Sequence, residues 1–106
     1  MVKKNIKVLK YGGNMYIILV YDIVMDDDGP KVQRKILKLC KRYLHHIQGS
    51  VFEGELRDSQ YKEFNKELSK YMRKDKDSII IYKINNKNWL NREILTNIED
   101  KTDNYI

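Results

Sequence analysis

The run Met15-Tyr16-Ile17-Ile18-Leu19-Val20-Tyr21-Asp22 constrains this chain more than any other stretch. It is β-branched, aromatic or apolar at almost every position, the composition of a strand covered on both faces. It ends in an acid, Asp22, set between Tyr21 and Ile23. A carboxylate at the carboxyl end of a buried strand stands where open α/β sheets often carry ligand and catalytic groups. The plainer reading is a strand-end aspartate that caps the following turn.

Beyond Asp22 the pattern changes. A loop, Met25-Asp26-Asp27-Asp28-Gly29, leads to Pro30, which suits the first turn of a helix. Val32, Ile36, Leu39, Cys40, Tyr43 and Ile47 then recur at three- and four-residue steps and mark one buried face. The opposite face carries Lys31, Arg34, Lys35, Lys38, Lys41 and Arg42 with no acid among them. A merely solvated helix usually mixes signs, so this face suits a phosphate backbone read for charge and not for sequence. The net charge of +6 over 106 residues agrees with a polyanion partner. An ordinary lysine-rich surface is the competing reading.

His46 to Leu56 reads as extended, with Gly49-Ser50 either a two-residue hairpin turn or a bend within one long strand. Asp58 or Ser59 suits the cap of a second helix, with Tyr61, Phe64, Leu68, Tyr71 and Met72 as its apolar stripe. Its outer face alternates Lys62, Glu63, Lys66, Glu67 and Lys70, a mixed-charge solvated surface. Asp75 to Ser78 breaks that helix, Ser78 to Ile84 is a second strongly apolar strand, and Trp89 to Ile98 suits a short helix or a strand. With the extended pair taken as a hairpin, the class is α+β. The order is a ferredoxin-like βαββαβ plait, an antiparallel four-stranded sheet with two helices on one face. The other face is expected to stay open and partly apolar, ready to dock a partner or ligand. Residues 1–14 carry Lys3, Lys4, Lys7 and Lys10 and end in Gly12-Gly13-Asn14. They read as a basic or disordered extension ahead of a domain spanning 15–106.

Other chemistries find little support. A single cysteine, Cys40, excludes an intrachain disulfide and offers no zinc pair. It falls on the apolar face of the first helix, a core position. The longest apolar run, Ile17 to Tyr21, is too short for a bilayer, and no apolar core of a signal peptide follows the N-terminus. The expectation is a cytoplasmic protein without a membrane partner. Asp26, Asp27 and Asp28 lack the alternating spacing and distant glutamate of a calcium loop and read as a solvated loop favouring the next helix N-terminus. His45 and His46 would face opposite ways on a strand and so do not share a metal. Ser50 has no nucleophile-activating pattern and suits a turn or a phosphate-contacting hydroxyl. Asp22 alone is a sparse metal site. Magnesium, however, takes one or two carboxylates together with water and phosphate oxygens, and a two-fold dimer would bring two copies of Asp22 together. An ion held there would activate water against a phosphodiester.

Two segments carry a more specific signal. Met15 to Ile23 resembles the opening strand of the CRISPR-associated Cas-two family. Gln48-Gly49-Ser50-Val51-Phe52-Glu53-Gly54-Glu55-Leu56 resembles that family's Q-x-S-V-F-E-G-x-L stretch. They flank a basic helix at the family's usual separation. The resemblance runs from Met15 to Ile84, and Trp89 to Ile106 is similar to a family-type end. It implies a ferredoxin-like homodimer in which a C-terminal strand, here in the Trp89 to Ile98 region, adds to the partner subunit's sheet. It implies a part in CRISPR adaptation, where the dimer bridges two dimers of the Cas-one integrase and holds the DNA to be inserted as a spacer. Some members are described as metal-dependent nucleases cutting single-stranded RNA or duplex DNA. The resemblance therefore also implies a magnesium-dependent endonuclease or endoribonuclease, with one Mg2+ shared by two copies of Asp22. Asp22 matches the family's metal aspartate, Tyr21 its aromatic neighbour, Ser50 and Phe52 the second motif, and Arg34 an arginine of the first helix. The competing class is a ferredoxin-like RNA-binding or regulatory module without catalysis, which lacks here the aromatic-rich strand that base stacking uses.

Overall fold

The structure, a computed structural model, describes residues 14–96. Its elements follow the order β1 (Asn14–Asp22), α1 (Gly29–Tyr43), β2 (His45–Gln48), β3 (Val51–Arg57), α2 (Asp58–Tyr71) and β4 (Ser78–Ile84), with a single 3-10 turn at Lys87–Trp89. The strands form one antiparallel sheet in the order β2-β3-β1-β4, so the two most apolar strands, β1 and β4, lie side by side. This is the expected plait, and β1 begins one residue earlier than its apolar run, at Asn14.

Alternation along β1 decides the two faces of the sheet. Met15, Ile17, Leu19 and Tyr21 point under the helices and are buried. There they meet Ile36, Leu39 and Cys40 of α1, Phe64 and Leu68 of α2, and Phe52 and Leu56 of β3. Ile17, Leu19, Ile36, Cys40, Phe52 and Phe64 are wholly buried, each large side chain contributing about 1.5–3 kcal/mol of transfer free energy. The other face carries Tyr16, Ile18 and Val20, paired across to Ile84, Tyr82 and Ile80. Ile80 and Tyr82 are about half exposed, so the open apolar face is present.

The extended pair is a hairpin. Gly49 takes φ +42°, the left-handed region that a two-residue turn requires and that other residues occupy at a cost. Gln48 faces Val51 across the turn and His46 faces Phe52, so Ile47 is the extra residue of a bulge. Ile47 therefore belongs to β2 and not to the stripe of α1, whose periodicity it continued by coincidence. The second helix begins at Asp58, but its cap is Arg57, whose backbone N–H donates to Gln60 Oε1 at 2.9 Å. Neither Asp58 nor Ser59 is the cap, because both already lie inside the first turn. Trp89 closes the 3-10 turn, and residues 90–95 form neither helix nor strand. Residues 1–13, which hold the basic extension, and residues 97–98 of the Trp89 to Ile98 region lie outside the described residues.

Candidate metal and nucleic-acid site

Asp22 is the last residue of β1 and its side chain is exposed on the open face. Its position is fixed by backbone: it pairs across to Ser78 at the start of β4. Among the described residues no side chain bonds to its carboxylate, and no three His, Cys, Asp or Glu groups come together as a metal cluster. One chain thus presents a single solvent-facing carboxylate on a rigid strand end.

The residues placed beside Asp22 by sequence do not share its face. Tyr21 is 5 % exposed and points under the helices, where its ring stacks on the wholly buried Phe52 at 6.2 Å between centroids. Burial pushes the Tyr21 phenol above its ordinary pKa. The strand's two-residue period separates neighbours, so Tyr21 and Asp22 look in opposite directions. Tyr21 instead lines a groove of about 470 Å3 with Gln33, Arg34, Leu37, His46, Gly49 and Ser50. Tyr21 and Ser50 are also joined through the backbone, the Tyr21 N–H donating to the Ser50 carbonyl at 3.2 Å. Sequence candidates Tyr21, Arg34 and Ser50 are therefore brought together, Phe52 supports them from the core, and Asp22 stands across the sheet. His46 lies flat on Phe52 at 4.4 Å with Nε2 2.7 Å from the Gly49 carbonyl oxygen. His45 faces the other way, opposite Glu53.

The basic face of α1 is real. Lys31, Arg34, Lys35, Lys38 and Lys41 line an open groove of about 610 Å3 around Leu37. Arg42 leaves that group: its guanidinium sits 5.8 Å from the Tyr43 ring, and it lines a neighbouring cleft with Tyr71. Lys35 reaches the Tyr71 ring at 5.4 Å.

Two further clusters join residues distant in the chain. On the open face, Glu53 is almost wholly buried. It accepts from the Tyr16 hydroxyl at 2.8 Å and from Arg92, in the segment that follows β4. Burial, then the bond to Glu53, pushes the Tyr16 phenol up to about 12. At the loop after β1, Asp26 pairs with Arg73 and Lys76, each at 2.7 Å. Asp77 pairs with Arg73 at 3.0 Å. Asp26 is thus an anchor between loops and not a solvated charge for the helix dipole. The hydrogen bonds from Arg73 and Lys76 hold its carboxyl well below the usual range, and Arg73 holds Asp77 down to about 2. The only sequence signal for either cluster was an acid within an apolar strand and a lone arginine after a helix.

The family description "CRISPR associated protein Cas2" matches residues 15–92. The chain belongs to the Cas2 family. A Cas2 relative from Fusobacterium nucleatum, named "CRISPR-associated endoribonuclease Cas2", is 51 % identical over 105 residues, covering 98 % of this chain and 99 % of that protein. One from Moorella thermoacetica, named "CRISPR-associated endoribonuclease Cas2 2", is 43 % identical and covers 85 % of this chain and 100 % of its own length. Among solved structures, one described as "Crystal structure of cas2" matches with a TM-score of 0.66 at 35 % identity, over 77 % of this chain and 87 % of that one. Streptococcus pyogenes Cas2 matches with a TM-score of 0.63 at 29 % identity, over 70 % and 89 %. The Cas2 fold and the family-type motifs thus agree with the plait described here. No helix among the described residues is long and apolar enough to cross a membrane.

Proposed function

We propose that this chain acts as a homodimeric CRISPR adaptation subunit that binds DNA, bridges dimers of the Cas-one integrase, and carries a magnesium-dependent endonuclease site at Asp22. The observation that carries this reading is the exposed Asp22 carboxylate at the rim of an open apolar face. The same face presents Ile80 and Tyr82 half exposed. A second copy covering that face would remove apolar area from water and place a second strand-end carboxylate nearby. The outer edge of β4 has no neighbouring strand among the described residues. A long apolar edge of this kind is a template for pairing, which supports addition of a partner's C-terminal segment there.

The donor set fits magnesium, which accepts one or two carboxylates and completes its shell with water and phosphate oxygens. When bound, the ion would polarise a phosphoryl oxygen and lower the pKa of its water. The chain's own contribution is to hold Asp22 at a strand end that is paired with Ser78 of β4. Lys31, Arg34, Lys35, Lys38 and Lys41 supply a phosphate-tracking surface that carries no sequence code. The names of the Fusobacterium and Moorella relatives favour RNA as one substrate.

The test is a division of labour. With labelled single-stranded RNA and duplex DNA, cleavage needs magnesium and disappears in Asp22→Asn, whereas duplex binding persists in that variant. Replacing Lys35, Lys38 and Lys41 by alanine weakens binding and flattens its salt dependence, by about 0.9 in slope for each phosphate no longer neutralised. Cleavage unchanged in Asp22→Asn would remove the catalytic part of the reading. A monomer in sedimentation would remove the dimer and favour the non-catalytic RNA-binding module.

A further inference from the structure

The chain immediately after Asp22 is held with unusual completeness for a surface loop. Both backbone polar groups of Val24 are taken by one side-chain pair from the turn between α2 and β4. The Val24 N–H donates to Asp77 Oδ1 at 3.1 Å, and its carbonyl accepts from Arg73 at 2.8 Å. Arg73 in turn donates to both oxygens of Asp77 and to Asp26. The Asp77 side chain is only 1 % exposed. Asp77 also precedes Ser78, the residue that pairs with Asp22. The same fork therefore fixes the chain two residues beyond Asp22 on β1 and one residue before its partner on β4.

A second observation points to the same spot. Gly29, at the start of α1, packs so closely on Val24 that a Cβ there would lie 2.3 Å from the Val24 carbonyl oxygen. That carbonyl is boxed between a glycine and a guanidinium.

We propose that Arg73, with Asp77, is a positioning residue for Asp22: the fork closes on Val24 and thereby sets where the Asp22 carboxylate is presented to a divalent cation. The inference rests on the reading of Asp22 as a metal ligand. It adds a residue that touches neither metal nor substrate. The planar, five-donor guanidinium makes four side-chain bonds here, to both oxygens of Asp77, to Asp26 and to the Val24 carbonyl, one more than the three donors of a lysine supply. Partners that hydrogen-bond a metal ligand directly govern metal affinity by about 10- to 100-fold; Arg73 acts through the Val24 backbone instead, so the lower end of that range is the expected effect.

The test uses the full chain and manganese as the probe, read by paramagnetic broadening of backbone amide signals around Asp22. In Arg73→Gln and Arg73→Lys the manganese concentration for half broadening rises about 10-fold. Gly29→Ala, which displaces the same carbonyl from the other side, gives a shift in the same direction. Lys62→Ala, an exposed position on α2, leaves the response unchanged. Magnesium-dependent cleavage, where it is measured, shows the loss at low magnesium and recovers at high magnesium, with the KM for RNA unmoved. Because a metal that binds only the folded state also rescues a partly unfolded protein, the comparison is made on variants whose circular dichroism and thermal midpoint show them fully folded without metal. If Arg73→Gln fails to fold, Gly29→Ala decides. Wild-type half broadening in folded Arg73 and Gly29 variants, with Asp22→Asn losing the response, overturns the positioning role alone. Broadening that survives Asp22→Asn overturns the metal reading and the positioning role with it.

Discussion

The Tyr16 hydroxyl donates to Glu53 Oε2 at 2.8 Å, and Arg92 donates to the same oxygen from a segment that returns across the sheet after β4. An acid buried on the open face is thereby satisfied by one neighbour on β1 and one beyond the last strand. The Arg92 side chain remains 42 % exposed while that of Glu53 is 8 % exposed, so the two partners do not lose equally when parted.

Removing Arg92 leaves Glu53 buried with Tyr16 as its remaining donor. Arg92→Ala is expected to cost about 1–3 kcal/mol, the penalty of an under-satisfied buried group. Arg92→Gln, which keeps a donor, costs less. Urea unfolding of both variants checks the order, and equal loss in the two would show that packing and not the bond holds the segment down.

Acid acts on a different part of the molecule. Asp77 is held down to about 2 and Asp26 well below the ordinary carboxylate value of 3.8. Groups with depressed folded values stabilise the fold fully above the unfolded pKa and lose that contribution as pH falls through the folded one. Thermal midpoints should therefore hold above about pH 4 and fall toward pH 2. In Arg73→Gln the midpoint is lower at neutral pH and its fall below pH 4 is shallower. An acid limb unchanged by that substitution would contradict the network.

Alkali should act through groups buried in their neutral forms. Burial pushes the Cys40 thiol and the Tyr16 phenol each up to about 12. Raised folded values stabilise fully below the unfolded pKa, and the contribution disappears as pH rises through the folded one. Stability is expected to decline from about pH 9 toward 12, with Cys40→Ala flattening the early part of the slope. The same burial makes Cys40 slow to react with thiol reagents until the chain unfolds. Rapid labelling of native protein at pH 8 would contradict the position of Cys40.

Two glycines separate backbone from packing effects. A Cβ on Gly49 would meet nothing within 4 Å, so Gly49→Ala is expected to cost only the left-handed backbone penalty of about 1–2 kcal/mol, with Gly49→Asn milder. At Gly54 the added carbon would press on Leu44 Cδ2 at 3.1 Å, so Gly54→Ala strains the packing between β3 and the end of α1. Phe64→Ala, at a wholly buried site, costs about 3–5 kcal/mol. Chemical denaturation of the four variants orders them directly.

Local patterns were legible where one element could satisfy itself. The segment Met15 to Asp22 predicts β1 within one residue, and Pro30 with its stripe predicts α1. Gly49-Ser50 allows a hairpin turn or a bend within one long strand, and the structure makes it the hairpin turn. Ile47 was misplaced because a helical step and a β-bulge can put an apolar residue at the same spacing. The helix cap at Arg57 was missed because its bond comes from its backbone to a glutamine side chain, which composition does not flag.

The sequence by itself determined the alternation of β1, and with it an acid at a strand end, the one-sided basic face of α1, and a plait with one open side. These follow from periodicity, a property of neighbours in the chain. Only the tertiary structure decided which face of β1 lies under the helices, that Glu53 is buried under Arg92, and that Arg73 grips Val24 from 49 residues away. Such pairings depend on which strands lie side by side and on charges that cancel across loops. Contacts between residues distant in the chain leave no periodic trace.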